Sequence, residues 1–89
     1  MSQIWNEIVE MVDRDYYDEV TECIVSYNNG IHLSQAIHDF LMAHVNVLHV
    51  SVTNVDAFES PAYDTGVVFA AWTEKDGSLH TIDYQWELR

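Results

Sequence analysis

The chain has 89 residues, the length of one small domain, so we predict a single domain over residues 1–89. Its composition, 48% hydrophobic and 12% aromatic, excludes a disordered acidic tail and predicts a packed core. Fifteen Asp and Glu against three Lys and Arg give a formal net charge of -12, which disfavours direct binding of nucleic acid or anionic lipid and favours a basic partner. Acidity that serves solubility alone is the alternative, although a charge magnitude of about 2 to 8 suffices for that in a small domain.

The cellular compartment is predicted from the cysteine content and the amino terminus. The single cysteine, Cys23, excludes an internal disulfide framework. Glu7 and Glu10 stand where a signal peptide carries Lys or Arg, and no apolar run approaches the roughly 20 residues that span a bilayer. We therefore expect a cytoplasmic protein without membrane contact, located in the host cytoplasm if the chain is phage-encoded.

The first predicted element is one long helix over residues 2–27. Apolar residues recur there at steps of three and four, which keeps them on one helix face, and Gly30 is the expected stop. Residues 13–18, with two tyrosines and three aspartates, are where this helix could break. The apolar face consists of Trp5, Ile8, Val9, Val12, Tyr16, Val20, Cys23, Ile24 and Tyr27.

A second helix is predicted over residues 33–46. After it, apolar residues recur at every second position instead of at steps of three and four. Leu48, Val50 and Val52 alternate with polar residues, the pattern of a half-buried strand. Residues 55–63 contain the single proline, Pro61, and are predicted to form a surface loop.

The last two predicted elements are strands over residues 65–74 and 79–88, joined by a tight turn. Asp76-Gly77 is a signal for a two-residue type I′ turn, which pairs Lys75 with Ser78. This register leaves Trp72 on the outer face and places six residues on the core face: Val67, Phe69, Ala71, Ile82, Tyr84 and Trp86. The predicted fold class is α+β, with two N-terminal helices packed on a three-stranded antiparallel meander (α-α-β-β-β).

The outer face of the first predicted helix carries the most distinctive charge pattern. Seven carboxylates lie between Glu7 and Glu22, with Arg14 as the one counter-charge, whereas a solvated helix normally interleaves basic residues at i+4. At 1.5 Å per residue they span about 22 Å, or one per ~3 to 4 Å. This spacing is close to the ~3.4 Å between phosphates along one strand of B-DNA. The pattern predicts a nucleic-acid mimic, with an ordinary solvated face as the alternative.

The predicted partner-binding surface combines this helix face with carboxylates from other elements and with the outward Trp72. Tryptophan is enriched at interfaces, so the Trp72 face is also the predicted contact of a homodimer. The partner-binding residues are Glu7, Glu10, Asp15, Asp18, Glu22, Asp39, Asp56, Glu59, Trp72 and Asp83.

Catalytic and metal chemistry are not predicted. His38 and His44 are six residues apart and point in roughly opposite directions on a helix, and no His-x-x-x-His or Glu-x-x-His motif is present. Cys23 lies on a predicted apolar face, where packing is its expected role. We expect no cofactor, no metal and no enzyme activity.

The predicted function is that of a small acidic inhibitor which occupies the basic nucleic-acid-binding surface of a partner, such as a nuclease or defence complex. In size and charge, though not in any motif, the chain resembles the mimics with which phages block restriction and CRISPR systems. Two alternatives stay open: an immunity or antitoxin protein that blocks a nuclease, and an acidic homo-oligomeric module without an inhibitory role. A His/Asp metal protein is the least favoured.

Overall fold

The computed structural model describes the backbone of residues 2–60 and 63–88, and the side chains of 2–56 and 65–88. Two helices and five strands follow one another in the order α1 (Gln3–Asp15), β1 (Tyr17–Asp18), β2 (Cys23–Ser26), α2 (Ile31–Ala43), β3 (Val47–Ser60), β4 (Tyr63–Glu74) and β5 (Leu79–Leu88). The strands form a five-stranded sheet in the order β1-β2-β5-β4-β3. β2 is parallel to β5, and the other neighbours are antiparallel.

The predicted α-α-β-β-β fold is therefore wrong. A pair of strands separates the two helices, and the predicted three-stranded meander β3-β4-β5 is only part of a mixed five-stranded sheet. The class α+β still describes the molecule, because the helices pack on one face of a mainly antiparallel sheet. Neither α1 nor α2 has the length and apolar character that crossing a bilayer requires.

Helix α1 has half the predicted length. It begins after Ser2, whose hydroxyl accepts a hydrogen bond from the Trp5 amide, and buries Ile4, Ile8 and Val12 at a spacing of four. It ends at Asp15, so the predicted continuation to residue 27 is wrong.

The break after α1 has a local cause in the side chain of Asp18. This carboxylate accepts hydrogen bonds from the Val20 amide and the Thr21 hydroxyl, which offers the backbone a turn in place of a further helical turn. Val20, predicted to lie on the apolar helix face, is 92% exposed. Cys23–Ser26 then forms β2, since Ile24 and Val25 suit a pleated strand.

Helix α2 occupies residues 31–43, two to three residues earlier than predicted. Its N-cap is Gly30, with φ +79°, so the glycine predicted to stop the first helix instead starts the second. Leu33, Ile37 and Leu41 are fully buried at a spacing of four, as the apolar pattern predicts.

The β4–β5 hairpin has a register one residue away from the predicted one. Thr73 pairs with Leu79, and the Gly77 amide donates to the Glu74 carbonyl at 2.9 Å. Gly77 has φ +88°, so the loop is a three-residue turn with a left-handed glycine rather than a two-residue type I′ turn. A shift of one residue turns every side chain of β4 to the opposite face relative to β5.

The core lies between the two helices and one face of the sheet. Trp72 is 1% exposed, so the prediction that it faces outward is wrong, whereas Phe69, predicted for the core, is 47% exposed on the other face. Ile82 and Trp86 face the core as predicted. The buried hydrophobic residues of the sheet are Val68, Ala70, Trp72, Ile82 and Trp86.

Strand β3 is longer than the predicted strand and ends at Ser60. Residues 55–60 therefore belong to a strand, and the prediction of a surface loop over them is wrong. They pair with β4 in the register Val55 to Val67 and Ser60 to Tyr63, with an irregularity after Ala57. Pro61 lies outside the described residues.

Candidate acidic interface

A recess lies beside β5 at the β1 end of the molecule. Strand β2 meets β5 only from the Ile24–Trp86 pair onward, so Tyr84 and Gln85 lie before the start of that pairing. A recess of about 430 Å³ lies beside these residues, between the end of α1, the β1–β2 turn and β5. Its lining consists of Asp13, Tyr17, Glu22, Cys23, Ile24, Tyr84, Gln85 and Glu87.

A second recess of about 340 Å³ adjoins the first, because Tyr17 lines both. Its lining consists of Asp15, Tyr16, Tyr17, Asp18, Val25 and Tyr27. We call the two recesses together the β1-end surface. Five carboxylates line it: Asp13, Asp15, Asp18, Glu22 and Glu87.

The carboxylates of the β1-end surface are positioned by the short connection between α1 and β2. Asp18 is held by its hydrogen bonds to Val20 and Thr21, and Glu22 has a left-handed backbone with φ +57°. The Cys23 thiol lies 3.7 Å from a Glu87 carboxylate oxygen, which places β5 against the turn. Strand β1 and the turn after it thus bring their own carboxylates close to those of α1 and β5.

Arg14 compensates part of the negative charge at the edge of this surface. Its guanidinium lies 2.9 Å from Asp15, and this hydrogen-bonded ion pair holds the pKa of Asp15 below its usual range. Both side chains are exposed, so the pair is screened by solvent and contributes little to stability.

Tyrosines line the β1-end surface beside the carboxylates, and two of them, Tyr16 and Tyr84, also pack against the core. Burial, with a smaller contribution from the negative charge of Asp13, raises the pKa of Tyr84 to about 12. The Tyr84 hydroxyl is buried without a hydrogen-bond partner among the described residues. Tyr17 is 42% exposed, and the Tyr16 hydroxyl donates to the His32 carbonyl oxygen at 2.9 Å.

This arrangement suits lysine and arginine side chains as ligands. A carboxylate accepts charge-assisted hydrogen bonds from either cation, and a tyrosine face attracts a guanidinium or ammonium group. Within the described residues, no three His, Cys, Asp or Glu side chains are placed to hold one metal ion. The carboxylates and tyrosines that line the surface are groups that can accept a basic side chain.

The structure brings together part of the predicted partner-binding surface. Asp15, Asp18 and Glu22 line the recesses. Glu10 is exposed one helical turn before Asp13, and exposed Asp83 lies two residues before Gln85 on the same face of β5.

The other predicted residues lie elsewhere. Glu7 packs against α2, with its carboxylate 3.4 Å from His44 Nε2. Asp39 is exposed on α2, where Gln35 donates to it, and Asp56 is exposed near the far end of β3. Glu59 lies in β3, and its side chain is outside those described. Trp72 is buried and offers no outer face, either for a partner or for the predicted homodimer.

Sequence reasoning did not assign Glu87, Tyr17 and Tyr84 to the site, and it counted Asp13 only among the seven carboxylates of the predicted helix face. Asp13 belongs to the acidic run around Arg14, so its charge was visible in the sequence. Glu87 and Tyr84 reach the surface only because β2 pairs in parallel with the end of β5. No local feature of the sequence predicts the pairing of β2 with β5.

Comparisons with protein family models, with curated proteins and with solved structures find no match for this chain.

Proposed function

We propose that the protein is a small inhibitor that binds the basic nucleic-acid-binding surface of a partner protein and thereby excludes DNA or RNA. The observation that supports this most is the grouping of five carboxylates around two adjoining recesses on a molecule of net charge -12. No bond is made or broken in this mechanism, because competition for the same basic surface is sufficient.

The form of the mimicry differs from a straight row of phosphate-like charges. Because α1 ends at Asp15, the seven carboxylates from Glu7 to Glu22 do not share one helix, and Glu7 turns towards α2. The proposal depends instead on a compact group of carboxylates with tyrosine faces between them. Such a group would accept two or more arginine or lysine side chains that otherwise bind phosphates.

Charge also favours rapid association. A strongly negative molecule is steered towards a positive surface, which raises the association rate at low ionic strength. Asp13 and Glu22 are exposed, so they are available to a partner from the first encounter. Binding through these groups should weaken as salt screens them.

Displacement of a fluorescent DNA duplex from a panel of basic nucleases and defence proteins tests the proposal. The wild-type chain should displace the duplex from at least one of them, with an affinity that falls as salt is raised. Replacing Asp13→Asn together with Glu22→Gln should weaken this binding about tenfold or more, since paired charges at an interface contribute ~1.4 kcal/mol or more.

The matched control is the double variant Asp39→Asn with Asp56→Asn, which removes the same charge from exposed sites on α2 and β3. It should retain binding within about twofold. If both double variants lost the same affinity for the partner, net charge alone would account for binding. That result would reject the β1-end surface as the binding site. Failure of the wild-type chain to displace DNA from any basic protein would reject the inhibitor.

A further inference from the structure

The outer edge of β3, with which no strand pairs among the described residues, is a second surface at the opposite side of the sheet from β1. β3 is last in the strand order and pairs with β4 on one side. An unpaired edge presents backbone N–H and C=O groups that another strand can satisfy, and native sheets usually protect such edges with Lys, Pro or bulges. The stretch His49–Val55 contains neither Lys nor Pro and pairs regularly with β4, its register shifts lying before His49 and after Ala57.

This stretch is also uncharged. From Val47 to Val55 the sequence contains no Asp, Glu, Lys or Arg, although the chain carries fifteen acidic residues. Strand β1 lies four strand spacings from β3, roughly 19 Å at ~4.8 Å per strand, and β5, which carries Glu87, lies two spacings away. Two molecules of charge -12 would therefore meet along β3 with less repulsion than at the acidic end of the sheet.

We propose that a second copy of this chain pairs with β3 as an antiparallel strand, so that two five-stranded sheets become one sheet of ten strands. The regular, uncharged stretch His49–Val55 has Val52 at its centre, and a two-fold axis there aligns the stretch with itself. Ser51 then lies opposite the partner's Thr53, and His49 lies opposite the partner's Val55. No like charges face each other in these pairs, and Ser–Thr pairs stabilise antiparallel sheets.

The geometry of this pairing keeps the helices of both copies on one side. Residues opposite each other in an antiparallel pair share a face, so Val52 and its symmetry mate both lie on the helix side. Val52 is half-buried there and lines a recess of about 270 Å³ with Ser34, Gln35 and His38. The second copy covers this edge of the recess.

A second copy fits this edge better than a basic partner does. A basic segment is attracted to carboxylates, and the stretch Val47–Val55 has none, whereas the self-pairing needs only backbone groups and uncharged side chains. The dimer also places its two β1-end surfaces at opposite ends of the ten-stranded sheet, where their mutual repulsion is smallest.

Light scattering and sedimentation of the wild-type chain over a range of concentrations test the proposal. The mass should rise towards twice 10.3 kDa, and the dimer should strengthen with added salt, because salt screens the repulsion between two acidic copies. Binding to a basic partner should respond to salt in the opposite sense, so the failure of either proposal can be recognised separately.

The double variant Ser51→Glu with Thr53→Glu places two pairs of like charges across the axis and should weaken the dimer at least tenfold. The matched control is Thr81→Glu with Gln85→Glu, which adds the same charge at exposed positions of β5 and should remain dimeric. Both variants should keep the circular dichroism spectrum of the wild type.

A cysteine cross-link tests the register by itself. In a Cys23→Ser background, Val52→Cys should form a disulfide-linked dimer on mild oxidation, because paired antiparallel residues at the axis are close enough for a disulfide. Thr81→Cys should not. A wild-type mass of 10.3 kDa at every concentration, or equal dissociation of the β3 and β5 glutamate variants, would overturn the proposal.

Discussion

Trp86 connects β5 to β3, to β4 and to Gly30, the N-cap of α2. Its indole N–H donates to Asn54 Oδ1 at 2.9 Å, and Asn54 donates in turn to the Asn29 carbonyl oxygen. A Cβ atom added at Gly30 would lie 2.5 Å from the indole ring, and one added at Gly66 would meet the ring and lie 2.6 Å from the Val55 carbonyl oxygen. Glycine is required at both positions because the buried ring occupies that space.

Gly66→Ala should destabilise the protein by about 1 to 3 kcal/mol through overpacking. Adding Trp86→Phe should cost less than the sum of the two single changes, because the smaller ring frees part of the space that the methyl group needs. Urea unfolding of the wild type, both single variants and the double variant measures this coupling. Additive costs would show that the ring and Gly66 do not compete for space.

Glu74 connects the start of α1 to the hairpin. Its Oε2 atom accepts hydrogen bonds from the Ser2 hydroxyl at 2.6 Å and from the Trp72 indole N–H at 3.0 Å, and lies 3.3 Å from His80 Nε2. The Ser2 hydrogen bond, followed by that of Trp72, lowers the pKa of Glu74. The ionised carboxylate is thus the form that the fold stabilises.

A lowered pKa in the folded state means that Glu74 stabilises the fold above its unfolded-state pKa and loses this effect as pH falls through the folded-state value. Glu74→Gln should therefore cost about 1 to 2 kcal/mol at neutral pH. The difference from wild type should begin to shrink as pH falls below about 4.5, the ordinary pKa of this carboxyl, because the unfolded chain binds a proton there first. It should be smallest once pH is below the lowered pKa of Glu74 in the folded protein. Chemical unfolding at several pH values measures it, and a pH-independent difference would contradict the assignment.

At the scale of the element, the β4–β5 turn decides which face of β4 enters the core. The Asp76 carboxylate accepts from the Ser78 amide at 2.9 Å, and Gly77 adopts the left-handed conformation, which together close a three-residue loop. The extra loop residue is the reason that Trp72 is buried and Phe69 is half-exposed.

Substitution of Trp72 and Phe69 tests this register directly. Trp72→Ala should cost about 3 to 5 kcal/mol, because it removes a fully buried side chain. Phe69→Thr should cost less than about 1 kcal/mol, since threonine suits a strand and the ring is 47% exposed. The register of a two-residue turn predicts that Phe69→Thr costs more than Trp72→Ala. The unfolding free energies of the two variants therefore distinguish the registers.

At the scale of the whole molecule, the two edges of the sheet differ in charge. The β1-end surface carries five carboxylates around two recesses, whereas the opposite edge strand, β3, has no Asp, Glu, Lys or Arg from Val47 to Val55. If both proposals hold, the dimer presents two acidic surfaces that face away from each other. Such a molecule could engage two basic partners at once, and avidity would then depend on the spacing of those partners.

Several features of the fold follow from local sequence and were predicted. The apolar spacing of Leu33, Ile37 and Leu41 indicates a helix, and the turn residues Asp76 and Gly77 indicate a hairpin between two strands. Ile82 and Trp86 were assigned to the core from their alternation along β5. Asp15, Asp18 and Glu22, selected from the charge pattern of the sequence, line the two recesses.

The remaining features were decided by tertiary structure. Helical spacing continues by coincidence from Val12 to Tyr27, whereas the Asp18 turn interrupts the helix and Cys23–Ser26 pairs as a strand with β1 and β5. The hairpin register differs by one loop residue from the register that Asp76-Gly77 alone indicates, and this difference places Trp72 in the core. Composition and period are local properties of the chain, whereas strand partners are chosen by which arrangement buries the most apolar surface, and that choice set both the fold and the grouping of the carboxylates.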